Sequence, residues 1–207
     1  MIGNRPLPLP PEAQRGPGRD LSFRDRLSRI PALTGTPAAL DTDHLPAGPV
    51  EMFLWWLDEA VAADVPEPRS ATLSTVDADG LPDARVLVLR DLGERGWAFG
   101  STRSSRKGEQ LAAQPAAALS MWWQPQMRAV RLRGPVVEAS REESDADLAR
   151  RHPDARARIA DGDWQVWWLR PQRVEFWQGA QDRGHTRIIY TRTTEAWTHE
   201  VTSEGSN

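Results

Sequence analysis

Apolar positions along the chain recur at two periods, and the change between them separates helices from strands. Phe53, Trp56, Leu57, Ala60 and Val61 repeat at three, four, seven and eight, which predicts a helix near Val50–Ala63 with a core-facing stripe. The next segment, Ser70–Val76, reads as a strand closed by Asp77-Ala78-Asp79-Gly80, a hairpin-type turn in which glycine supplies positive φ. Ala84–Arg90 and Trp97–Ser101 are expected as further strands, joined by a turn through Gly93 and Gly96. Ser104–Gln114 predicts a short helix stopped by Pro115. Ala116–Trp123 and Arg128–Val137 read as a long antiparallel pair around Gln124-Pro125-Gln126. Ser140 and Glu143 fit a capping box that opens a polar helix running to about Arg151. Strands near Arg173–Trp177, Thr186–Tyr190 and Ala196–Val201 follow. About six to eight antiparallel strands with a few peripheral helices favour a mainly β architecture, a small barrel rather than a doubly wound sheet.

Composition divides the chain into three. Residues 1–48 are read as a flexible Pro/Gly/Arg-rich segment, mostly loop, with a short helix around Leu21–Ile30; an arm docked over a site is the alternative. Residues 49–201 hold the barrel, and 202–207 form a polar tail. With a formal net charge of −3 over 207 residues, the chain is unsuited to binding nucleic acid by bulk electrostatics. Local basic clusters in such a chain point to a compact anionic ligand. The absence of cysteine excludes disulfides and thiolate metal sites. The four histidines, His44, His152, His185 and His199, show no ligand-type pairing with carboxylates, so no metal is expected. No apolar run approaches membrane-spanning length and no signal-peptide core follows Met1, so a soluble cytoplasmic protein is expected. Ten tryptophans stand against one tyrosine, and several are paired (Trp55-Trp56, Trp122-Trp123, Trp167-Trp168), which suggests burial on both sides or at a subunit interface.

Three clusters carry candidate chemistry. After the apolar run ending at Gly179, Arg183, His185 and Arg187 alternate, and a strand would place all three on one face. That face either meets an anion or is a solvated edge. Ser104-Ser105-Arg106-Lys107-Gly108 opens a helix directly after a strand, where free backbone N–H groups and the helix dipole favour an anion. Two hydroxyls, an arginine and a lysine there would grip a phosphate; the alternative is an ordinary capped helix with exposed charges. In Arg85-Val86-Leu87-Val88-Leu89-Arg90 the two arginines lie five positions apart and face opposite sides of a regular strand.

The order of these motifs resembles the pyridoxamine 5'-phosphate oxidase family: Pro82-Asp83-Ala84-Arg85 through Arg90, then Ser105-Arg106-Lys107-Gly108, then Val174-Glu175-Phe176-Trp177-Gln178-Gly179 with Arg183-Gly184-His185-Thr186-Arg187. The resemblance covers roughly Val50 to Trp197 and implies an FMN-binding split β-barrel that works as a homodimer with two flavin sites at the subunit interface. It places FMN contacts on Arg85, Val86, Leu87, Val88, Leu89, Arg90, Gly100, Ser101, Arg106, Lys107, Trp177 and Arg187. Substrate contacts would fall on Arg90, Arg183 and His185, with Arg183 and His185 catalytic and His185 assisting proton removal. An isoalloxazine ring needs apolar and aromatic walls, which Trp177 and the Leu/Val run offer, while bound flavin carries the redox chemistry.

Departures from the family pattern bear on the substrate. Where the family holds a substrate phosphate with Tyr, Arg and Ser around a proline, this chain has Leu148, His152 and Arg156 around Pro153. Arg156 could replace one charge from a different geometry. The usual lysine at the end of the first flavin strand is Arg90, and a flavin-contacting glutamine after Arg128 is Ala129. The insertion before the Trp-containing strand is missing, with its flavin-contacting Gln-Ser pair, and the Arg-Leu-x-Pro ending is replaced by Val201-Thr202-Ser203-Glu204. The expectation is an FMN-dependent oxidase of a small aromatic or heterocyclic substrate, as in family members that act on reduced rings in secondary metabolism, with oxygen reoxidising the flavin. Trp122, Trp123, Trp164, Trp167 and Trp168 are candidate pocket walls. A true pyridoxamine or pyridoxine 5'-phosphate oxidase and a non-catalytic flavin-binding split barrel remain as alternatives.

Overall fold

The structure, a computed structural model, describes residues 22–182 and 184–204. The segment ending at Ala32 is a unit of its own, in which helix α1 (Phe23–Ser28) is opened by a capping box between Ser22 and Asp25. All remaining elements belong to the unit beginning at Leu33. Helix α2 (Pro49–Ala62) starts with proline, whose missing N–H costs nothing in the first turn. It buries Pro49, Met52, Phe53, Trp56 and Ala60. The stripe is therefore rotated from the expected one: Val61 is exposed, and Met52 takes its place in the core.

Among the described residues nine antiparallel strands follow, in the order β4-β1-β2-β3-β6-β5-β7-β8-β9, with β4 also pairing β5. They are β1 (Ser70–Val76), β2 (Pro82–Gly93), β3 (Gly96–Thr102), β4 (Ala116–Trp123), β5 (Arg128–Glu138), β6 (Trp164–Leu169), β7 (Arg173–Gln178), β8 (His185–Arg192) and β9 (Trp197–Glu204). The β4–β5 pairing closes β4, β1, β2, β3, β6 and β5 into a ring. The split lies in β5, whose residues 128–133 pair with β7 while 136–138 pair with β6. Helix α3 (Arg106–Ala113) follows β3; α4 (Arg141–Ala149) and α5 (Pro153–Arg156) lie between β5 and β6. The hydrophobic core holds Leu73, Trp97, Phe99, Leu119, Val130 and Phe176, with α2 plugging one side through Trp56 packed edge-on against Phe176.

Three expectations are corrected. Strand β6 is additional to those read from period-two alternation, because all six of its residues are buried and a strand covered on both faces shows no alternation. Residues 34–46 are not loose: Thr36 N–H donates to Pro125 (2.8 Å), Gln178 donates to the Ala38 carbonyl and Tyr190 to that of Pro46. Gly35 fits there because a Cβ would stand 2.3 Å from the Gln124 carbonyl oxygen. At the other end, β9 continues through Glu204, past the expected start of the tail.

Candidate functional site

The first half of the site forms where β2 leaves its hairpin. Arg85 donates to Thr75 Oγ1 (2.5 Å) and Gln110 Oε1 (3.2 Å) and pairs with Asp83 at 2.9 Å. Arg106, mostly exposed, reaches the same Asp83 carboxylate at 3.5 Å. Lys107 is held below the ordinary lysine range by burial first and then by the charge of Arg85. Two cations kept close enough to repel are what an anion-binding cradle looks like before its anion arrives. Ser105 caps α3 by accepting from Gly108 N–H (3.3 Å) and donates to the Thr102 carbonyl, while Ser104 gives both its N–H and its hydroxyl to Asp163. The expected hydroxyl grip is thus corrected: both hydroxyls are engaged within the protein, and the cations remain.

The second half is a row across four strands. Trp122 stands opposite Ala129, Ala129 opposite Trp177, and Trp177 opposite Arg187. With alanine between them, the two indoles meet at 6.1 Å and form one wall of a 330 Å³ cleft whose other lining residues are Arg131, Glu175 and Arg187. His185 packs on Trp177 with ring centroids 4.9 Å apart. Its Nδ1 accepts from the Ala180 N–H at 3.0 Å, so the neutral ring carries its proton on Nε2. His185 therefore offers a donor, not the proton-abstracting lone pair expected of it; taking a proton at Nε2 would mean losing the Ala180 bond.

Under this wall lies Glu175, 1% exposed, with Arg131 and Arg187 on one carboxylate oxygen and Arg173 on the other (2.9 Å). Burial pushes its carboxyl up, but Arg131, then Arg187 and Arg173, outweigh this and hold it below the ordinary 4.5. The stabilisation is complete above that ordinary value and disappears as pH falls through the lower folded-state value. Glu175→Gln is accordingly expected to cost about 2–3 kcal/mol near neutrality, the size of hydrogen bonds to charged groups. The gap to the native chain should narrow on acidification, which melting curves between neutral and strongly acid pH would check; a gap independent of pH would contradict the role of charge.

The other expected residues scatter. Val86 and Val88 are exposed on the outer face of β2, whereas Leu89 is buried. Arg90 pairs with Asp147 of α4. Ser101 is buried with its hydroxyl 3.2 Å from that of Ser105, and Gly100 lies against the Trp164 ring. Arg156 is exposed at the end of α5, and Arg183 lies outside the described residues. Of the candidate walls, Trp122 is half-exposed and lines the cleft, while Trp123, Trp164, Trp167 and Trp168 are buried. Two larger clefts, of 1110 and 1050 Å³, are lined by none of the expected site residues. Sequence reading missed Asp83, Thr75 and Gln110 as supports of Arg85, and Glu175 as support of Arg187; a lone acid inside the apolar run Val174–Trp177 was the available signal.

The residues present fit an FMN: a cationic cradle for its phosphate and an aromatic wall with an arginine for its ring. Comparison with known proteins points the same way. The chain matches the family profile described as pyridoxamine 5'-phosphate oxidase over residues 57–178, and the pyridoxine 5'-phosphate oxidase C-terminal dimerisation region over 164–203. A pyridoxine/pyridoxamine 5'-phosphate oxidase of Bordetella petrii is 38% identical, with 72% of this chain and 85% of the relative covered. One from Thermosynechococcus vestitus is 36% identical at the same coverage. Among solved structures, PhzG from Burkholderia lata 383 in complex with tetrahydrophenazine-1-carboxylic acid superposes with a TM-score of 0.74 at 23% identity, covering 82% of this chain and all of that one. A pyridoxamine 5'-phosphate oxidase-related, FMN-binding protein of Nostoc punctiforme gives 0.64 at 18%, covering 75% and 97%. These two likenesses establish the fold, and the sequence matches establish the lineage: the chain belongs to the pyridoxamine 5'-phosphate oxidase family.

Proposed function

We propose that the chain is an FMN-dependent oxidoreductase that oxidises a small aromatic or heterocyclic substrate and whose flavin is reoxidised by oxygen. The observation that carries this is the pairing of a cationic cradle at Arg85, Arg106 and Lys107 with the Trp122–Ala129–Trp177–Arg187 wall. Bound FMN would supply the redox chemistry, accepting a hydride equivalent from a substrate carbon. Arg85, Arg106 and Lys107 would hold its phosphate, and Arg187, backed by Glu175, would lie against its ring. Trp122 and Trp177 offer a flat apolar face to a ring. His185 donates from Nε2 to an acceptor on the substrate, and Arg183 is assigned, from the family motif, to orient it.

The cleft at the wall is lined by Trp122, Ala129, Arg131, Glu175, Trp177 and Arg187 and by none of the cradle residues, which favours a homodimer in which each subunit completes the other's site. The match to a dimerisation region and the exposed Val61, Val86 and Val88 support that reading. Among the described residues no helix is long and apolar enough to cross a membrane, and a cytoplasmic location is part of the proposal. The reduced ring system named for the Burkholderia lata protein illustrates a substrate type compatible with a tryptophan wall.

The identities near 36–38% favour a second reading, a true pyridoxamine or pyridoxine 5'-phosphate oxidase. Leu148, His152 and Arg156 at the family's phosphate-binding positions weigh against it. The deciding experiment is to purify the chain without added cofactor, record its visible spectrum and identify any released chromophore by mass. A yellow protein releasing FMN, bleached without air by a substrate and recovering in air, supports the oxidase. Pyridoxamine phosphate turnover at the rate of a standard oxidase would establish the second reading instead. A colourless protein that refuses FMN would leave a non-catalytic split barrel. In the flavin-loaded protein, His185→Ala should keep FMN but slow flavin reduction by substrate about ten- to hundredfold, the value of one well-placed hydrogen bond to a reacting group; stopped-flow reduction measures it.

A further inference from the structure

Arg90 is the last residue of the β2 motif, and its environment sets this chain apart. The register between β2 and β3 runs Leu89 with Phe99 and then Asp91 with Ala98, so the strand bulges at Arg90. A bulge re-aims a side chain, and regular alternation no longer determines where this arginine points. Its Nε donates to Asp147 Oδ1 (2.9 Å) and its Nη2 to Oδ2 (3.3 Å), a two-pronged pair with both side chains largely buried. Trp164 Nε1 donates to the same Oδ2 at 3.0 Å. Three N–H groups therefore converge on one carboxylate.

The indole is fixed in turn. A Cβ on Gly100 would stand 2.5 Å from the Trp164 ring, so only glycine allows this approach, and the Arg151 guanidinium lies 4.4 Å over the ring. Asp147 sits on α4, a helix that packs on β6, the strand carrying Trp164. The next residue on that helix is the apolar Leu148.

We propose that Asp147 is a specificity-determining residue: by neutralising Arg90 it removes the preference for a phosphate-bearing ligand that a free arginine would give this part of the site. This rests on the reading above of a small-substrate oxidase and on the family resemblance, which places a substrate contact on Arg90. A phosphate could recruit Arg90 through the N–H groups that Asp147 leaves, with the Asp147 carboxylate then standing beside the dianion, or by displacing Asp147, whose carboxylate would then lose its cation. Both consequences oppose binding. An uncharged substituent meets neither, since the ion pair stays intact beside it.

The probes are pyridoxal and pyridoxal 5'-phosphate, alike except for the phosphate, titrated against the FMN-saturated full-length chain by fluorescence quenching. The native chain should bind the two within about threefold, because a closed ion pair offers little net attraction to a further anion. Asp147→Asn keeps the shape, removes the charge and frees Arg90; it should bind the phosphate ester about tenfold more tightly relative to pyridoxal, as a charge-assisted hydrogen bond allows. Adding Arg90→Gln should abolish that gain. Trp164→Phe removes a donor without unpairing Arg90 and should leave the native ratio.

A tenfold preference for the ester in the native chain would overturn the proposal whether or not any variant folds. So would an unchanged ratio in Asp147→Asn, or a gain that survives Arg90→Gln. If the chain binds no FMN, the flavin reading fails separately. The same ratio, followed by tryptophan fluorescence in the flavin-free chain, still decides the role of Asp147.

Discussion

Replacing Arg106 and Lys107 together by alanine is expected to weaken FMN binding by about two to four orders of magnitude. Hydrogen bonds to a charged group are worth about 1.5–3 kcal/mol each, and two of them convert to that range at about 1.4 kcal/mol per decade. Asp83 balances Arg85 at 2.9 Å and Arg106 at 3.5 Å, yet Lys107 stays below its ordinary range through burial and Arg85. A phosphate relieves that repulsion, so Lys107→Ala alone should cost more than Arg106→Ala, whose side chain is 80% exposed and loses more freedom on binding. The depressed value also has a sign: Lys107 gives up its proton at lower pH than an ordinary lysine, so affinity should begin to fall earlier on the alkaline side. Fluorescence titration of FMN at fixed ionic strength measures all three effects. Unchanged affinity in the double variant would remove the phosphate assignment.

Glu59→Ala is expected to destabilise the fold by about 3–5 kcal/mol, the cost of leaving a buried charge without its partner. Arg128 is fully buried at the start of β5. It donates to Glu59 on α2 (2.5 Å) and to Gln178 at the end of β7 (2.8 Å), and its guanidinium lies 4.4 Å over Trp56. One of its terminal nitrogens is buried with no hydrogen-bond partner among the described residues, which offer no spare acceptor to replace a lost carboxylate. The pair joins the plugging helix to the strand at which the barrel splits. Replacing both charges, Arg128→Met with Glu59→Leu, should cost far less, because the desolvation penalty disappears with the ions. Urea unfolding of the single and double variants checks this. A cost below about 1 kcal/mol for Glu59→Ala, typical of exposed pairs, would show that water reaches the guanidinium.

Much of the barrel could be read locally. Ser70–Val76 alternates, and β1 has those bounds; the Ser140–Glu143 capping box opens α4, and Ser105 opens α3. Such signals need only neighbours in sequence. Strand β6 was illegible for the opposite reason: its tryptophans are covered on both sides by elements distant in the chain. Val61 was misplaced because Met52 and Val61 compete for the same stripe, and only the contact with the barrel decides which is buried.

The chemistry divides in the same way. Residue types and spacing by themselves marked Arg106 and Lys107 at a helix start and put His185 and Arg187 on one strand face, because a strand's period and a helix start are local properties. Only the tertiary structure decided what those side chains can do. It turned His185 into a donor through Ala180, placed Glu175 beneath Arg187, and set Trp122 beside Trp177 over Ala129. It also tied Arg90, at a bulge, to an aspartate 57 residues later. A guanidinium's charge is written in the sequence, but whether it is free to meet a ligand depends on which distant carboxylate the fold brings to it.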